Sequence, residues 1–178
     1  MKRCAWVALA MSALVAAGCG GSGDIRSNGP YRPVGSGDAG MTHWRVERST
    51  ATGGGECLRV VVPPSVNEEG CAPKPSLTDG GSQPLQLLAL EQGPEAKVPF
   101  VMGSVVASAS AVRVVYRDGS FDMAQSGRGF FMAFLPADKT VTELRPAVSG
   151  YPNLRCKVVS LGQGNYGDDG CTGYPLKP

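Results

Sequence analysis

From residue 41 onward, apolar and polar residues alternate in short runs closed by Gly, Pro or Asp, the pattern of half-buried strands joined by tight turns. In Thr42 to Arg48, Trp44 and Val46 alternate with His43, Arg45 and Glu47; Thr52, Gly53, Gly54 and Gly55 then turn the chain into Cys57 to Val62, which Pro63 and Pro64 stop. These two runs predict a hairpin. Leu85 to Leu90 fits a strand or a helical turn, since Leu85, Leu88 and Ala89 would share a helix face; its neighbours favour the strand. Val98 to Ala107 follows, then Ala111 to Tyr116 with Val112, Val114 and Tyr116 on one face. Arg117, Asp118 and Gly119 turn that run into Phe121 to Ala124, because Gly accepts positive φ without a Cβ clash. Phe130 to Leu135 is continuously apolar up to Pro136 and predicts a central strand, with Phe130 and Phe134 on one face and Phe131, Ala133 and Leu135 on the other. Val141 to Arg145 and Leu154 to Leu161 complete the set. Seven to nine short strands without long amphipathic helices between them predict an all-β antiparallel β-sandwich.

The N-terminus carries a different pattern. Lys2 and Arg3 precede an apolar run from Ala5 to Ala17 that is short for a membrane span, as in an export signal. Its end, Leu14-Val15-Ala16-Ala17-Gly18-Cys19, resembles the bacterial lipobox. That resemblance implies cleavage before Cys19 and a diacylglyceryl group on its thiol, with two or more acyl chains giving stable anchoring. The expected organisation is therefore a lipoprotein signal peptide over residues 1–18, a lipidated Cys19 with a flexible Gly/Ser/Pro tether over 19–40, and a β-sandwich domain over 41–178. A tether of this composition reaches roughly 25 Å.

Charge and cysteine content agree with export. The chain has 17 Lys and Arg against 15 Asp and Glu, so loss of Lys2 and Arg3 leaves 15 of each and a formally neutral mature protein. No run of Lys or Arg remains to follow a phosphate backbone, and nucleic acid is not an expected partner. Gly and Pro number 25 and 14, which suits a turn-rich β protein. With Cys4 removed and Cys19 lipidated, Cys57, Cys71, Cys156 and Cys171 remain, most simply as two disulfides in an oxidising compartment. Three pairings are possible; Cys57 with Cys71 and Cys156 with Cys171 is preferred, each closing a Gly-, Pro- or Asp-rich loop.

The exported N-terminus, the Trp-containing strand turning through Gly into Cys-Leu-Arg-Val, and the segments Val-Arg-Val-Val-Tyr-Arg-Asp-Gly and Gly-Phe-Phe-Met-Ala-Phe-Leu-Pro together resemble uncharacterised exported and lipid-anchored proteins of high-GC bacteria. The resemblance covers roughly residues 41 to 161 and implies a small immunoglobulin-like sandwich. It carries no activity and no catalytic residues.

Catalytic chemistry finds little support in the residues. The one imidazole, His43, sits beside Trp44 as a surface strand residue, and no Gly-x-Ser-x-Gly elbow occurs. Gly162, Gly164 and Gly167 spell a dinucleotide-type glycine pattern, but no helix follows to hold a pyrophosphate. Zinc lacks any short paired Cys spacing. Asn165, Asp168 and Asp169 form a weak Ca²⁺ candidate whose plainer reading is a polar loop. Asp118 with Asp122, and Glu68 with Glu69, read as turn and loop residues, and the Phe and Tyr set from Tyr116 to Phe134 as core. Tyr151, Tyr166 and Tyr174, in Gly/Pro-rich segments, are candidate contact residues. The expected function is a non-catalytic binding or interaction module at the extracytoplasmic membrane surface, without cofactor. Its partner would be a surface glycan, a peptide or a membrane protein. The alternatives are an accessory subunit of a membrane-embedded partner and, third, a small carboxylate-dependent hydrolase.

Overall fold

The computed structural model describes residues 25–178 apart from 40–41, 65, 79–82, 94–95, 163–164 and 174–178. The signal peptide, Cys19 and Tyr174 lie outside the described residues. The described chain is an all-β antiparallel sandwich with two disulfides. Strands β1 (Arg32–Ala39), β2 (Thr42–Thr50), β3 (Glu56–Val62) and β4 (Val66–Ala72) form one sheet in chain order. The second sheet contains β5 (Leu85–Glu91), β6 (Phe100–Val105), β7 (Ala109–Tyr116), β8 (Phe121–Gly127), β9 (Phe130–Phe134), β10 (Val141–Val148), β11 (Arg155–Gly162) and β12 (Asn165–Thr172), in the order β12-β11-β10-β7-β8-β9-β6-β5. Strand β8 pairs with β7 through Phe121 to Ala124 and with β9 through Gln125 to Gly127, so one strand carries the sheet across a bend.

Period-2 alternation in β6 and β9 serves two cores. Phe100, Met102, Phe130 and Met132 pack with Trp44, Val46, Leu58, Val60 and Val62 of the four-stranded sheet. Their odd-numbered neighbours, Val101, Val105, Phe131 and Leu135, join Val112, Val114, Leu144, Cys156 and Val158 in the other core. Phe130 and Phe131 therefore face opposite layers, as the continuous apolar run predicts, and both are buried. Phe121 departs from the expected core set and is 51% exposed.

Three strands lie where the sequence pattern shows none. The expected tether over 19–40 contains β1, and Ser27 bridges Ala51, so the folded part begins ahead of residue 41. Its glycines serve close packing: a Cβ on Gly35 would fall 2.4 Å from Phe130 Cζ, and one on Gly37 2.7 Å from Trp44. Strands β4 and β12, Val-Asn-Glu-Glu-Gly-Cys-Ala and Asn-Tyr-Gly-Asp-Asp-Gly-Cys-Thr, are too polar to signal burial. Glu68 and Glu69 thus sit in a strand and not in a loop. Each of these strands is stapled to its neighbour by a disulfide between directly opposed residues, Cys57–Cys71 across β3 and β4 and Cys156–Cys171 across β11 and β12. The pairing is the preferred one, but it ties strand to strand where loop closure after a strand was expected.

The edge strands β5 and β12 cap one another through side chains. Asp168 Oδ2 accepts the Leu87 N–H at 3.1 Å, and Gln83 Oε1 accepts the Cys171 N–H at 3.0 Å. Such caps leave fewer free backbone groups on an edge strand. A further clamp joins the sheets: Arg48 of β2 pairs with Glu56 of β3 at 3.1 Å and donates to the Arg128 carbonyl at 2.5 Å. Arg128 and Gly129, with φ of 50° and 82°, form the two-residue turn between β8 and β9.

Candidate functional site

The strand alternation that buries Val112, Val114, Leu144 and Cys156 turns Arg113, Arg145, Arg155 and Lys157 outward. Arg113 of β7 and Arg145 of β10 are direct cross-strand partners, and Met123 of β8 is opposite Arg113 on its other side. In β10 the next outward residue, Glu143, is opposite Lys157 of β11. Pairing of β10 with β11 is confined to Glu143–Lys157 and Leu144–Cys156; beyond it stands Pro146, which has no N–H to offer a neighbouring strand. A cavity of about 280 Å³ opens there, lined by Arg113, Arg145, Arg155, Pro146, Asn153 and Met123 among others. Arg155 and Lys157 also line a second cavity of about 480 Å³ that includes Glu143 and Asp169. Arg155 lines both cavities, and the two together are called the trough, bordered by β7, β10, β11 and β12.

Charge in the trough is unevenly compensated. Glu143 Oε2 accepts two hydrogen bonds from Arg145, at 3.0 Å from Nε and 2.6 Å from Nη2. The Arg113 guanidinium lies 4.2 Å over the Phe121 ring, which leaves the ring half exposed next to Met123 at 54%. Among the described residues, no carboxylate pairs with Arg155 or Lys157. Like charges placed directly opposite on adjacent strands are destabilising; Glu143 and the Phe121 ring offset this for Arg145 and Arg113, whereas Arg155 and Lys157 have no carboxylate partner among the described residues.

Of the candidate contact residues, Tyr174 lies outside the described residues, and the other two do not line the cavities. Tyr151 and Tyr166 are half-buried against the larger core, and neither lines the trough. Tyr151 instead ends the Val148–Tyr151 turn, whose following residues Pro152 to Leu154 line the cavity. Two residues of the Ca²⁺ candidate, Asp168 and Asp169, lie within the described side chains. Asp168 is engaged by the Leu87 and Gly170 N–H groups, Asp169 is exposed in the trough, and the side chain of Asn165 lies outside the described residues. Among the described residues, the only Cys, His, Asp and Glu group close enough to share an ion is Cys57, Glu69 and Cys71, and its two sulfurs are bonded to each other.

Catalytic geometry is also weak at the other notable cluster. Ser120 Oγ lies 3.2 Å from Lys139 Nζ, the spacing of a serine–lysine pair. Lys139, however, forms an ion pair with Asp118 that pushes its ammonium pKa up, so it stays protonated and does not act as a base. Asp118 is held well below the usual carboxylate range by Lys139 and by the Ser120 hydroxyl and N–H, the role of a turn residue. Tyr116 donates to Asp122 at 2.7 Å, and burial together with that carboxylate pushes its phenol pKa up.

Sequence reasoning missed the trough because its cations are far apart in the chain and no local run announces them. The available signal was positional: Arg113, Arg145, Arg155 and Lys157 each occupy the polar phase of an alternating strand. No protein-family model matches the chain, and neither a curated protein nor a solved structure is significantly similar to it.

Proposed function

We propose that this protein is a lipid-anchored, extracytoplasmic, non-catalytic binding module, held at Cys19 and presenting the cationic trough to a partner at the cell surface. The observation that carries the reading is the outward row of Arg113, Arg145 and Arg155, with Lys157 beside it and the half-exposed Phe121 and Met123 on its flank. Binding sites combine exposed aromatic and arginine side chains in this way because both contribute large contact area and directional polar contacts. Two disulfides support an oxidising compartment, and the signal and lipobox pattern supports the anchor.

A photo-crosslinking residue placed at Met123, compared with one at the exposed Glu68 of β4, tests the binding face in native membranes. Adducts at Met123 and none at Glu68 are expected. Equal yields at both positions, or none at Met123, would remove the trough from the account. Intact mass of the same material tests the anchor: the chain is expected to begin at Cys19 with added acyl mass, and a different start overturns it.

A further inference from the structure

We infer that the trough takes an extended acidic glycan, a chain of carboxylate-bearing sugars, laid across strands β7, β10, β11 and β12. The inference rests on the binding-face reading above and adds the ligand's chemistry. Three features favour this occupant. Arg113, Arg145 and Arg155 occupy outward positions on three neighbouring strands, β7, β10 and β11, so their charges repeat across the sheet and match repeated charges along a chain better than a single anion. Arg155 lines both cavities, of about 280 and 480 Å³, so the lining residues extend over four strands, β7, β10, β11 and β12. Their lining mixes cations with Asn153 and Thr172, whose amide and hydroxyl suit a polyol, and Phe121, half exposed on β8, carries Arg113 over one face.

Charge decides between an acidic and a neutral chain. Arg113, Arg145, Arg155 and Lys157 face Glu143 and Asp169, and Glu143 is already committed to Arg145. Arg155 and Arg113 therefore present guanidinium forks that a carboxylate satisfies bidentately. Glu143 fixes the orientation of Arg145 and leaves its remaining N–H groups for ligand.

The test uses the full-length protein in detergent and four probes: a hexameric galacturonate, its fully methyl-esterified counterpart, hexaglutamate and a hexameric oligothymidylate. Saturable binding of the free acid is expected, at least tenfold tighter than that of the ester, the peptide or the oligonucleotide. Arg155→Gln is expected to weaken binding of the acid about tenfold, whereas Lys97→Gln, an exposed lysine away from the trough, leaves it unchanged. Equal affinity for acid and ester overturns the charge argument, and equal or tighter binding of hexaglutamate or oligothymidylate overturns the glycan. Absence of saturation by the acid also overturns the inference. Met123 crosslinks that persist after such a failure retain the binding face and remove only this ligand class; loss of both removes both.

Discussion

Replacing Phe131 by Ala measures how much of the fold depends on the larger core. Its side chain is fully buried on the odd face of β9, among Val101, Val112, Val114 and Leu144. A buried Phe removes roughly 150–250 Å² from water, which at about 25 cal/mol per Å² corresponds to roughly 4–6 kcal/mol. Ala keeps the Cβ, and the neighbours relax only in part, so the expected loss is about 3–5 kcal/mol. With an urea m-value of about 2 kcal/mol per M, the unfolding midpoint falls by roughly 2 M. Gly103 supplies an internal control. A Cβ on it would fall 2.6 Å from the Phe131 ring and 2.2 Å from the Gln86 carbonyl, so Gly103→Ala is destabilising by about 1–3 kcal/mol or more. In the Phe131→Ala background the ring conflict disappears and the carbonyl conflict remains, so the second substitution costs less than it does alone but not zero. Urea unfolding followed by Trp fluorescence at fixed pH reads all four proteins of the cycle. A loss below 1 kcal/mol for Phe131→Ala, or strict additivity with Gly103→Ala, would refute the two-core packing.

Burial raises the Glu56 carboxyl above its ordinary value near 4.5, with Arg48, Ser104 and Lys74 opposing the shift. The folded protein thus holds this proton more tightly than the unfolded chain, and the stability associated with it is lost as pH rises through the folded pKa. Glu56→Gln is expected to raise the urea midpoint relative to the parent at pH 7 and to lose that advantage near pH 4; a drop at pH 7 would show that the Arg48 pair outweighs burial. Glu47 works in the opposite sense, held low by Arg59 and then Arg45, so Glu47→Gln is expected to destabilise at neutral pH and progressively less in acid, as read from the same melts. Replacing Cys156 and Cys171 together by Ser opens a cross-link over 15 residues and is expected to cost about 3 kcal/mol, read from urea midpoints. An unchanged midpoint would mean that the hydrogen bonds of β12 to β11 and β5 suffice to hold it.

The parts of the fold that were legible are those where burial acts on one or both faces of a strand. Alternation marks β2, β3 and β7, and the unbroken run Phe130 to Leu135 marks β9 as a strand buried on both faces. Edge strands escape this logic. In β1, β4 and β12 stability comes from backbone pairing, from glycines that admit Phe130 and Trp44, and from disulfides, none of which requires apolar residues at every second position. The glycines of β1 accordingly look like a tether. The candidate site was hidden for a related reason: Arg113, Arg145 and Arg155 become neighbours only through the β7–β10–β11 order, which no local pattern encodes. Tyr151 and Tyr166, candidates on loop composition, pack partly buried against the larger core.

The proposed binding face requires that the trough cations serve a partner and not the fold. Arg155→Gln, measured for both urea midpoint and Met123 crosslinking in native membranes, separates the two. Because Arg155 is exposed and has no carboxylate partner among the described residues, the unfolding free energy from the urea midpoint is expected to stay within about 0.5 kcal/mol of the parent, while the crosslinked adduct is lost. A lowered midpoint with undiminished crosslinking would contradict the account.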